Sequence, residues 1–236
     1  MPGISTLTLP CPSQMGTWSN ENGFPKASKN KPNAMWHIDT TVIRLLDGTK
    51  AYLQAVIDNY SRRILAWRLG DKLEPMATAG LLVKAFESRS GVKNRAAQEL
   101  MVDGGVENFN VAVEKLVNDG LLKLILAQTD ISFSNSLIEA FWRNLKHQWL
   151  FINQLDTISR LRGLVEFYID QYNRHIPHSA HQGQTPDEMY SGTGDAVPDE
   201  LAAARRRAMQ ARLEANRNLT CDVCETMPDL RIVVNG

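Results

Sequence analysis

The spacing of apolar and polar positions changes several times along the chain, and each change predicts a different element. Residues 35–46, MWHIDTTVIRLL, mix β-branched and apolar side chains as a strand does, and Asp47-Gly48 then predicts a hairpin turn. Two further strands are predicted in KAYLQAVIDNY and RRILAWRLG, which a turn around residues 59–62 separates. This part of the chain is therefore predicted to form an antiparallel meander.

The following segments alternate between helical and strand-like patterns. A helical period over residues 74–88 precedes a short apolar strand at 99–102, a helix over 108–118 and a fifth strand at 121–127. Helices over 137–151 and 158–172 complete the pattern. Early hairpins followed by alternation favour a mixed sheet flanked by helices. The predicted fold is therefore α/β, a five-stranded mixed sheet in the element order of the ribonuclease H-like fold, with a C-terminal helical extension.

Composition divides the chain into three parts. Residues 1–34 are rich in Pro, Ser, Asn and Gly and are predicted to be an irregular or disordered lead, residues 35–190 form the core, and residues 191–236 form a helical and polar tail. The chain begins without the pattern of a secretory signal, and no run approaches the roughly 18 apolar residues of a membrane helix. We therefore expect a cytoplasmic protein with no membrane partner.

Charge and cysteine content add little to this picture. The net charge is zero, with 26 basic and 26 acidic residues, whereas dedicated DNA-binding modules usually carry a basic surplus. Of the three cysteines, Cys221 and Cys224 form a single C-x-x-C, which is half of a zinc site. Ordinary reduced thiols are favoured over structural zinc, and any role in nucleic-acid chemistry must rest on local features.

Three carboxylates lie at places where sites form in such folds. Asp39 lies in the first predicted strand, where its neighbours Ile38 and Val42 predict burial; Asp103 ends the fourth strand, and Glu139 lies in the first turn of a helix. Ligand sites collect at strand ends of open α/β sheets. Convergent carboxylates repel one another unless a cation neutralises them, and oxygen-rich sites suit magnesium or manganese. Two such ions would support an in-line phosphoryl displacement.

Each carboxylate also has a purely structural interpretation. Asp39 can accept hydrogen bonds from its neighbouring threonines, and Asp103 before two glycines can be a turn residue. Ser136-x-x-Glu139 before an apolar run is a capping box, and the local pattern alone favours that cap. No single carboxylate decides the function.

Several motifs in order resemble the retroviral-integrase-type core of bacterial insertion-sequence transposases. Thirty-five residues separate Asp103 from Glu139, which is the D-D-35-E spacing of that family. The other matching segments are WHIDTT at 36–41, YLQAVIDNYSRRILAW at 52–67, MVDGG with ENF at 101–109, SFSNSLIEAFWRNLKHQWL at 132–150, and a tail from Tyr172-Asn173 to Thr185-Pro186-x-Glu188. The match covers residues 34–190, which implies that residues 35–190 are an integrase-type catalytic core.

The resemblance implies metal-dependent DNA cleavage and strand transfer, as in DNA integration and transposition. Asp39, Asp103 and Glu139 would be the catalytic residues and would hold two Mg²⁺ (or Mn²⁺) ions. The expected partners are DNA, as element ends and target, and further copies of the chain in a homodimer or higher multimer, associated with the nucleoid when bound to DNA. Two alternatives stay open: an RNase H-like nuclease without strand transfer, and a non-catalytic DNA-binding or assembly remnant.

Candidate DNA contacts follow from helical spacing. Glu139, Arg143 and Lys146 are spaced by four and then three residues, which places them on one helix face. The two cations could follow a DNA backbone beside the carboxylate, or the face could be an ordinary solvated one. Asn108 is a further candidate for positioning substrate. The basic run Arg205–Arg207 is equally compatible with DNA contact and with an exposed helix face.

Two further expectations concern structure. Asp58, near Ser61 and Arg62, is predicted to hold the turn between the second and third strands, and the aromatic residues Trp36, Trp67, Phe141 and Trp142 are predicted to be core or interface residues. Many family members carry a helix-turn-helix region before the core, and residues 1–34 lack that pattern. The sequence therefore predicts a catalytic core, with a shortened chain, a separate DNA-binding chain and a loss of autonomous transposition all left open.

Overall fold

The elements follow the order that the sequence predicts. The computed structural model describes residues 31–89, 97–102, 111–126 and 136–218. Its strands are β1 (Trp36–Arg44), β2 (Lys50–Asp58), β3 (Ile64–Gly70), β4 (Gln98–Val102) and β5 (Leu122–Leu126). Its α-helices are α1 (Pro75–Glu87), α2 (Val111–Asn118), α3 (Ser136–Asn144), α4 (Ile158–Arg174), α5 (Pro186–Ser191) and α6 (Val197–Asn218). Within these ranges no helix is long and apolar enough to cross a membrane.

The five strands form one mixed sheet in the order β3-β2-β1-β4-β5. The predicted meander is confirmed, because β1 pairs antiparallel with β2 and β2 pairs antiparallel with β3. Strands β4 and β5 extend the sheet in parallel on the other side of β1. The hairpin turn after β1 contains Gly48 at a φ of 87°, a backbone conformation that glycine adopts without the steric cost of a side chain. Strand β1 is thus central in the sheet.

Helices cover both faces of this sheet, and the alternation along β1 decides which residues face which layer. Trp36 and Ile38 pack with α1 and α2 in one core cluster. Ile43 packs on the opposite face with α3 and α4 in a second cluster. Since successive strand residues point to opposite faces, Asp39 shares the face of Ile43 and is directed to the α3 layer. The burial predicted for Asp39 from its neighbours is only partial: Ile38 is fully buried and Asp39 is half-buried, but Val42 is 42% exposed because the α1–α2 cluster ends before it.

The helix predicted over residues 137–151 is present as consecutive helical segments that are irregular in the second half. Helix α3 ends at Asn144, a π-helical turn covers Leu145–Trp149, and a 3₁₀ turn covers Leu150–Ile152. The backbone N–H of Leu150 donates to the carbonyl of Leu145, five residues earlier. This wider turn places Leu150 above Leu145, and both side chains are fully buried in the α3–α4 cluster. A regular helix would turn one of them away from the core.

The end of α4 and the segment that follows it contact β3 and the β2–β3 connection. Asn173 near the end of α4 accepts a hydrogen bond from the Ile64 backbone N–H at 2.9 Å and donates to the Ile64 carbonyl at 3.0 Å. This amide pairs with an edge strand as another strand would. Further along, Asp187 of α5 forms an ion pair with Arg63.

Asp58 holds the turn between β2 and β3, as the sequence predicts. Its carboxylate is fully buried and accepts hydrogen bonds from the backbone N–H and the hydroxyl of Ser61 and from the backbone N–H of Asn33. Burial nevertheless raises the pKa of the Asp58 carboxyl, and these donors oppose that rise. The role of Asp58 is therefore structural.

Two histidines beside this turn predict an acid-dependent stability. Burial, followed by the neighbouring His181 and Arg62, lowers the pKa of His178 from 6.5 to about 4, and burial also lowers the pKa of His181. The folded chain thus binds fewer protons than the unfolded chain, so stability should fall as the pH falls from about 6.5 towards 4. Asp58, whose pKa is raised, offsets part of this loss in the lower part of the window.

Urea unfolding of the wild-type chain and of His178→Asn between about pH 7.5 and pH 5 checks this expectation. Asparagine can keep the bond that His178 accepts from the Ala180 N–H but does not titrate. The variant should show the shallower dependence of its unfolding midpoint on pH. Identical slopes for the two proteins would contradict the role of His178.

Candidate active site

Asp39 is held between its own strand and α3. The side chain is half-buried on the face of β1 that points to α3. Its Oδ1 accepts a hydrogen bond from the backbone N–H of Thr40 at 2.8 Å, so the contact with a neighbouring threonine that the sequence allowed is present. Its Oδ2 accepts from the indole N–H of Trp142 at 3.0 Å. This second bond joins β1 to α3 across 103 residues of sequence.

Helix α3 presents Glu139 on the same side as that contact. Ile138, Phe141 and Trp142 are buried and anchor the helix in the core. Glu139 lies in the first turn and is exposed. Residues three apart in a helix are neighbours on one face, so Glu139 lies one turn before Trp142, whose indole contacts Asp39. The fold thus brings the first and third candidate carboxylates to one side of the sheet.

A cation lies on the same face, further along the chain. Lys146 is half-buried in the π-helical turn that follows α3. Burial lowers the pKa of its ammonium group, and the negative charge of Asp39 acts in the opposite direction. Lys146 is thus close enough to Asp39 for the two charges to interact. Arg143 lies between Glu139 and Lys146 in sequence and is exposed.

Several candidates lie outside the described residues. They include Asp103, Asn108, Cys221 and Cys224. Within the described ranges no group of three or more potential metal-ligating side chains is present. Asp39 and Glu139 are oxygen donors of the kind that magnesium and manganese prefer.

The basic run Arg205–Arg207 lies on α6 and is exposed. From Arg205 to Arg217 every residue of α6 is exposed, so no core packing assigns one face of this half of the helix. This exposure is compatible with both of the alternatives that the sequence left open for the arginines, DNA contact and a solvated helix face.

Sequence reasoning missed one residue of this arrangement. Trp142 was expected in the core, and it is buried with 5% of its surface exposed, but its hydrogen bond to Asp39 was not foreseen. A signal was present in the sequence, because Trp142 stands three residues after Glu139 and a buried indole N–H needs an acceptor. The core prediction is also confirmed for Trp36 and Phe141, and Trp67 is partly buried against the core.

Comparisons with known proteins identify the family to which this chain is similar. Two family models, each described as an integrase core domain, match residues 29–130 and 123–186. The putative transposase InsK for insertion sequence element IS150 of Escherichia coli (strain K12) is 23% identical over 163 residues, which cover 69% of this chain and 56% of that protein. Transposase InsF for insertion sequence IS3A of the same organism is 24% identical over 159 residues, covering 67% and 54%. The chain spans about half the length of these curated relatives.

Solved structures show the same fold at low sequence identity. The HTLV-2 integrase catalytic core domain, in a structure in complex with magnesium, has a TM-score of 0.53 and 13% identity and covers 68% of this chain and 97% of that chain. The BIV integrase catalytic core domain has a TM-score of 0.52 and 16% identity, covering 70% and 98%. The predicted ribonuclease H-like architecture is therefore confirmed.

The two matching family models together cover residues 29–186. This range includes the five strands of the sheet and helices α3 and α4. The curated relatives are transposases, and the structural neighbours are retroviral integrase cores. The chain belongs to the integrase core family of transposases and integrases.

Proposed function

We propose that this chain is a DDE-type catalytic core that cleaves DNA at an element end and joins that end to target DNA. Asp39, Asp103 and Glu139 hold two magnesium or manganese ions in this proposal. The observation that carries it is the contact between Asp39 and Trp142, because it brings the acid of β1 to the helix face of Glu139. Two carboxylates from distant parts of the chain on one side of a sheet are typical of a metal site for phosphoryl transfer.

The register of β4 supports including Asp103. Strand β4 runs parallel to β1, and Met101 is opposite His37. His37 stands two residues before Asp39, and Met101 stands two residues before Asp103. Equal offsets along parallel neighbouring strands favour a common site for the two acids.

The residues of the chain have separate tasks in this mechanism. Two metal ions held by these carboxylates would supply activation of a water or a 3′ hydroxyl and charge stabilisation of the leaving oxygen in an in-line displacement. The carboxylates provide the negative charge that holds these cations. The half-buried position of Asp39 limits the competition of water for its oxygens, which strengthens its electrostatic interactions.

The cations of the α3 face contact the DNA backbone in this proposal. The negative charge of Asp39 acts to raise the pKa of Lys146, and Arg143 is exposed one turn after Glu139. A phosphate beside the carboxylates would meet both cations, which position the scissile bond without reading sequence. Asn108 is assigned to positioning the substrate.

Replacing Lys146 or Arg143 with alanine is expected to weaken DNA binding about equally for all sequences. Each substitution should reduce the slope of log K against log salt by about 1, because one phosphate contact is lost. Fluorescence anisotropy of a labelled duplex at several salt concentrations measures this slope. Lys84→Ala is the matched control, because Lys84 is exposed on α1, in the opposite layer of the sheet. Equal slopes for Lys146→Ala and Lys84→Ala would contradict the proposed contact.

A plasmid-joining assay tests the function itself. The chain is incubated with a supercoiled plasmid, a processed oligonucleotide end and Mg²⁺, and joined products are separated from nicked plasmid. Joined products support strand transfer. Nicking without joining supports an RNase H-like nuclease, and DNA binding with neither reaction supports a non-catalytic assembly protein. Light scattering with and without the oligonucleotide reports whether the proposed homodimer or higher multimer forms.

A further inference from the structure

The indole of Trp142 is a fixed hydrogen-bond donor. Only 5% of the side chain is exposed, and its ring packs against Phe141 with centroids 5.1 Å apart and an interplanar angle of 56°. An indole N–H can only donate, and leaving it unpaired in the core would be unfavourable. The Trp142 N–H is therefore held in one direction by packing, and the atom it meets is Oδ2 of Asp39.

Trp149 shows the ordinary way in which such a ring is satisfied. It lies one to two turns further along the same helical segment and donates its indole N–H to the backbone carbonyl of Leu164 at 2.9 Å. The Trp149 hydrogen bond joins the π-helical turn to α4 and involves no ionisable group. The Trp142 bond differs because its acceptor is an ionisable side chain at the candidate active site.

We propose that Trp142 is a positioning residue for metal binding by Asp39, an assignment that rests on the proposed function. The N–H fixes the orientation of the Asp39 carboxylate, because packing holds the donor in one direction. Because Trp142 lies three residues after Glu139 on one helix face, the same bond sets the separation between the strand of Asp39 and the helix of Glu139. One hydrogen bond thus prepares two carboxylates for a shared cation.

The size of the expected effect follows from hydrogen bonds to metal ligands in general. Losing such an outer partner typically weakens metal affinity 10- to 100-fold. A residue that only filled the core would act differently, because its loss would lower stability and leave the metal affinity of the folded fraction unchanged.

The test measures Mn²⁺ binding to the full chain by isothermal titration calorimetry. Trp142→Phe keeps an aromatic ring in the core and removes the N–H, and it should weaken Mn²⁺ binding by about 10-fold or more. Trp149→Phe is the matched control, because it removes an indole bond in the same core away from Asp39, and it should bind Mn²⁺ as the wild type does. In the joining assay, Trp142→Phe should need a correspondingly higher metal concentration and regain most of its rate when metal saturates.

A second substitution keeps the test informative if Trp142→Phe fails to fold. Incorporation of 3-benzothienylalanine at position 142 preserves the indole shape and replaces the N–H with sulfur, so it removes only the donor. Unchanged Mn²⁺ affinity in this folded variant would overturn the assignment of Trp142 while the wild type still bound metal and joined DNA. A wild-type chain that bound no Mn²⁺ and joined no DNA would instead refute the proposed function, and the role of Trp142 with it.

Discussion

Replacing Glu139 with glutamine is expected to reduce DNA joining at least about a thousandfold, or roughly 4 kcal/mol of transition-state stabilisation. The substitution keeps the size and shape of the side chain and removes the charge that would hold a cation. Glu139 is exposed in the first turn of α3, so the free energy of unfolding should change little. The joining assay at saturating Mg²⁺ measures the rate, and circular dichroism confirms that the variant is folded.

The matched control is Glu166→Gln, which removes an exposed glutamate from α4. That variant should join DNA at the wild-type rate. Asp39→Asn should lose activity as Glu139→Gln does, while its amide oxygen still accepts the hydrogen bond from Trp142. If Glu139→Gln kept full activity, the carboxylate would have no part in catalysis, and the capping interpretation of Ser136-x-x-Glu139 would be the better one.

The sheet could be predicted from the sequence because each of its signals is local. The β-branched segments of the meander and the Asp47-Gly48 turn lie within a few residues of one another, and β1–β3 form where they predict. The side of the sheet that Asp39 faces also follows from alternation along β1. The extent of the helical cover does not follow, and for this reason Asp39 is only half-buried and its neighbour Val42 is exposed.

The irregular elements were less accessible to sequence reasoning. The π-helical turn at Leu145–Trp149 arises because Leu145 and Leu150 both enter the α3–α4 core, and this tertiary requirement overrides the regular helical period. Helix α5 has six residues, too few for a periodic apolar pattern, although Thr185 and Glu188 form a capping box at its start.

The candidate site shows the same limit. Asp39 and Glu139 could be selected from spacing and family resemblance, but each also had a structural interpretation, and for Glu139 the local pattern alone favoured the helix cap. The sequence indicates that the buried N–H of Trp142 needs an acceptor, but it does not identify Asp39 as that acceptor, since a hydrogen bond between residues 103 apart depends on the assembled core. The hydrogen bond between Asp39 and Trp142 is therefore what relates the motif of β1 to the motif of α3 in one candidate site.

The family-like tail from Tyr172 to Glu188 shows how one such motif acts through structure. The tail resembles the family motif in sequence, but this resemblance does not indicate which part of the fold the tail contacts. In the fold, Asn173 satisfies the edge of β3, and Asp187 pairs with Arg63 in the β2–β3 connection. Both contacts are made with β3 or the connection before it, so the tail stabilises the edge of the sheet in which β1 carries Asp39.

Replacing Asn173 with alanine is therefore expected to destabilise the fold by about 2–4 kcal/mol, because two backbone groups of a buried residue lose their partners. Ile64 is 3% exposed, so water cannot easily replace the amide at its N–H and carbonyl. Urea unfolding followed by tryptophan fluorescence measures the loss. Asn153→Ala is the matched control, because it removes a side-chain amide that donates to one backbone carbonyl, that of Trp149 at 2.7 Å, and it should cost about 1 kcal/mol.

Asn173→Asp separates the two bonds of this amide. The introduced carboxylate can still accept from the Ile64 N–H, but it loses the donor and places negative charge against the Ile64 carbonyl. It should be at least as destabilising as alanine at neutral pH. Protonation restores a donor, so the pKa of the new carboxyl should be raised in the folded state, and part of the stability should return as the pH falls towards about 5. A loss for Asn173→Ala no larger than that of Asn153→Ala would mean that the edge of β3 is satisfied without this amide.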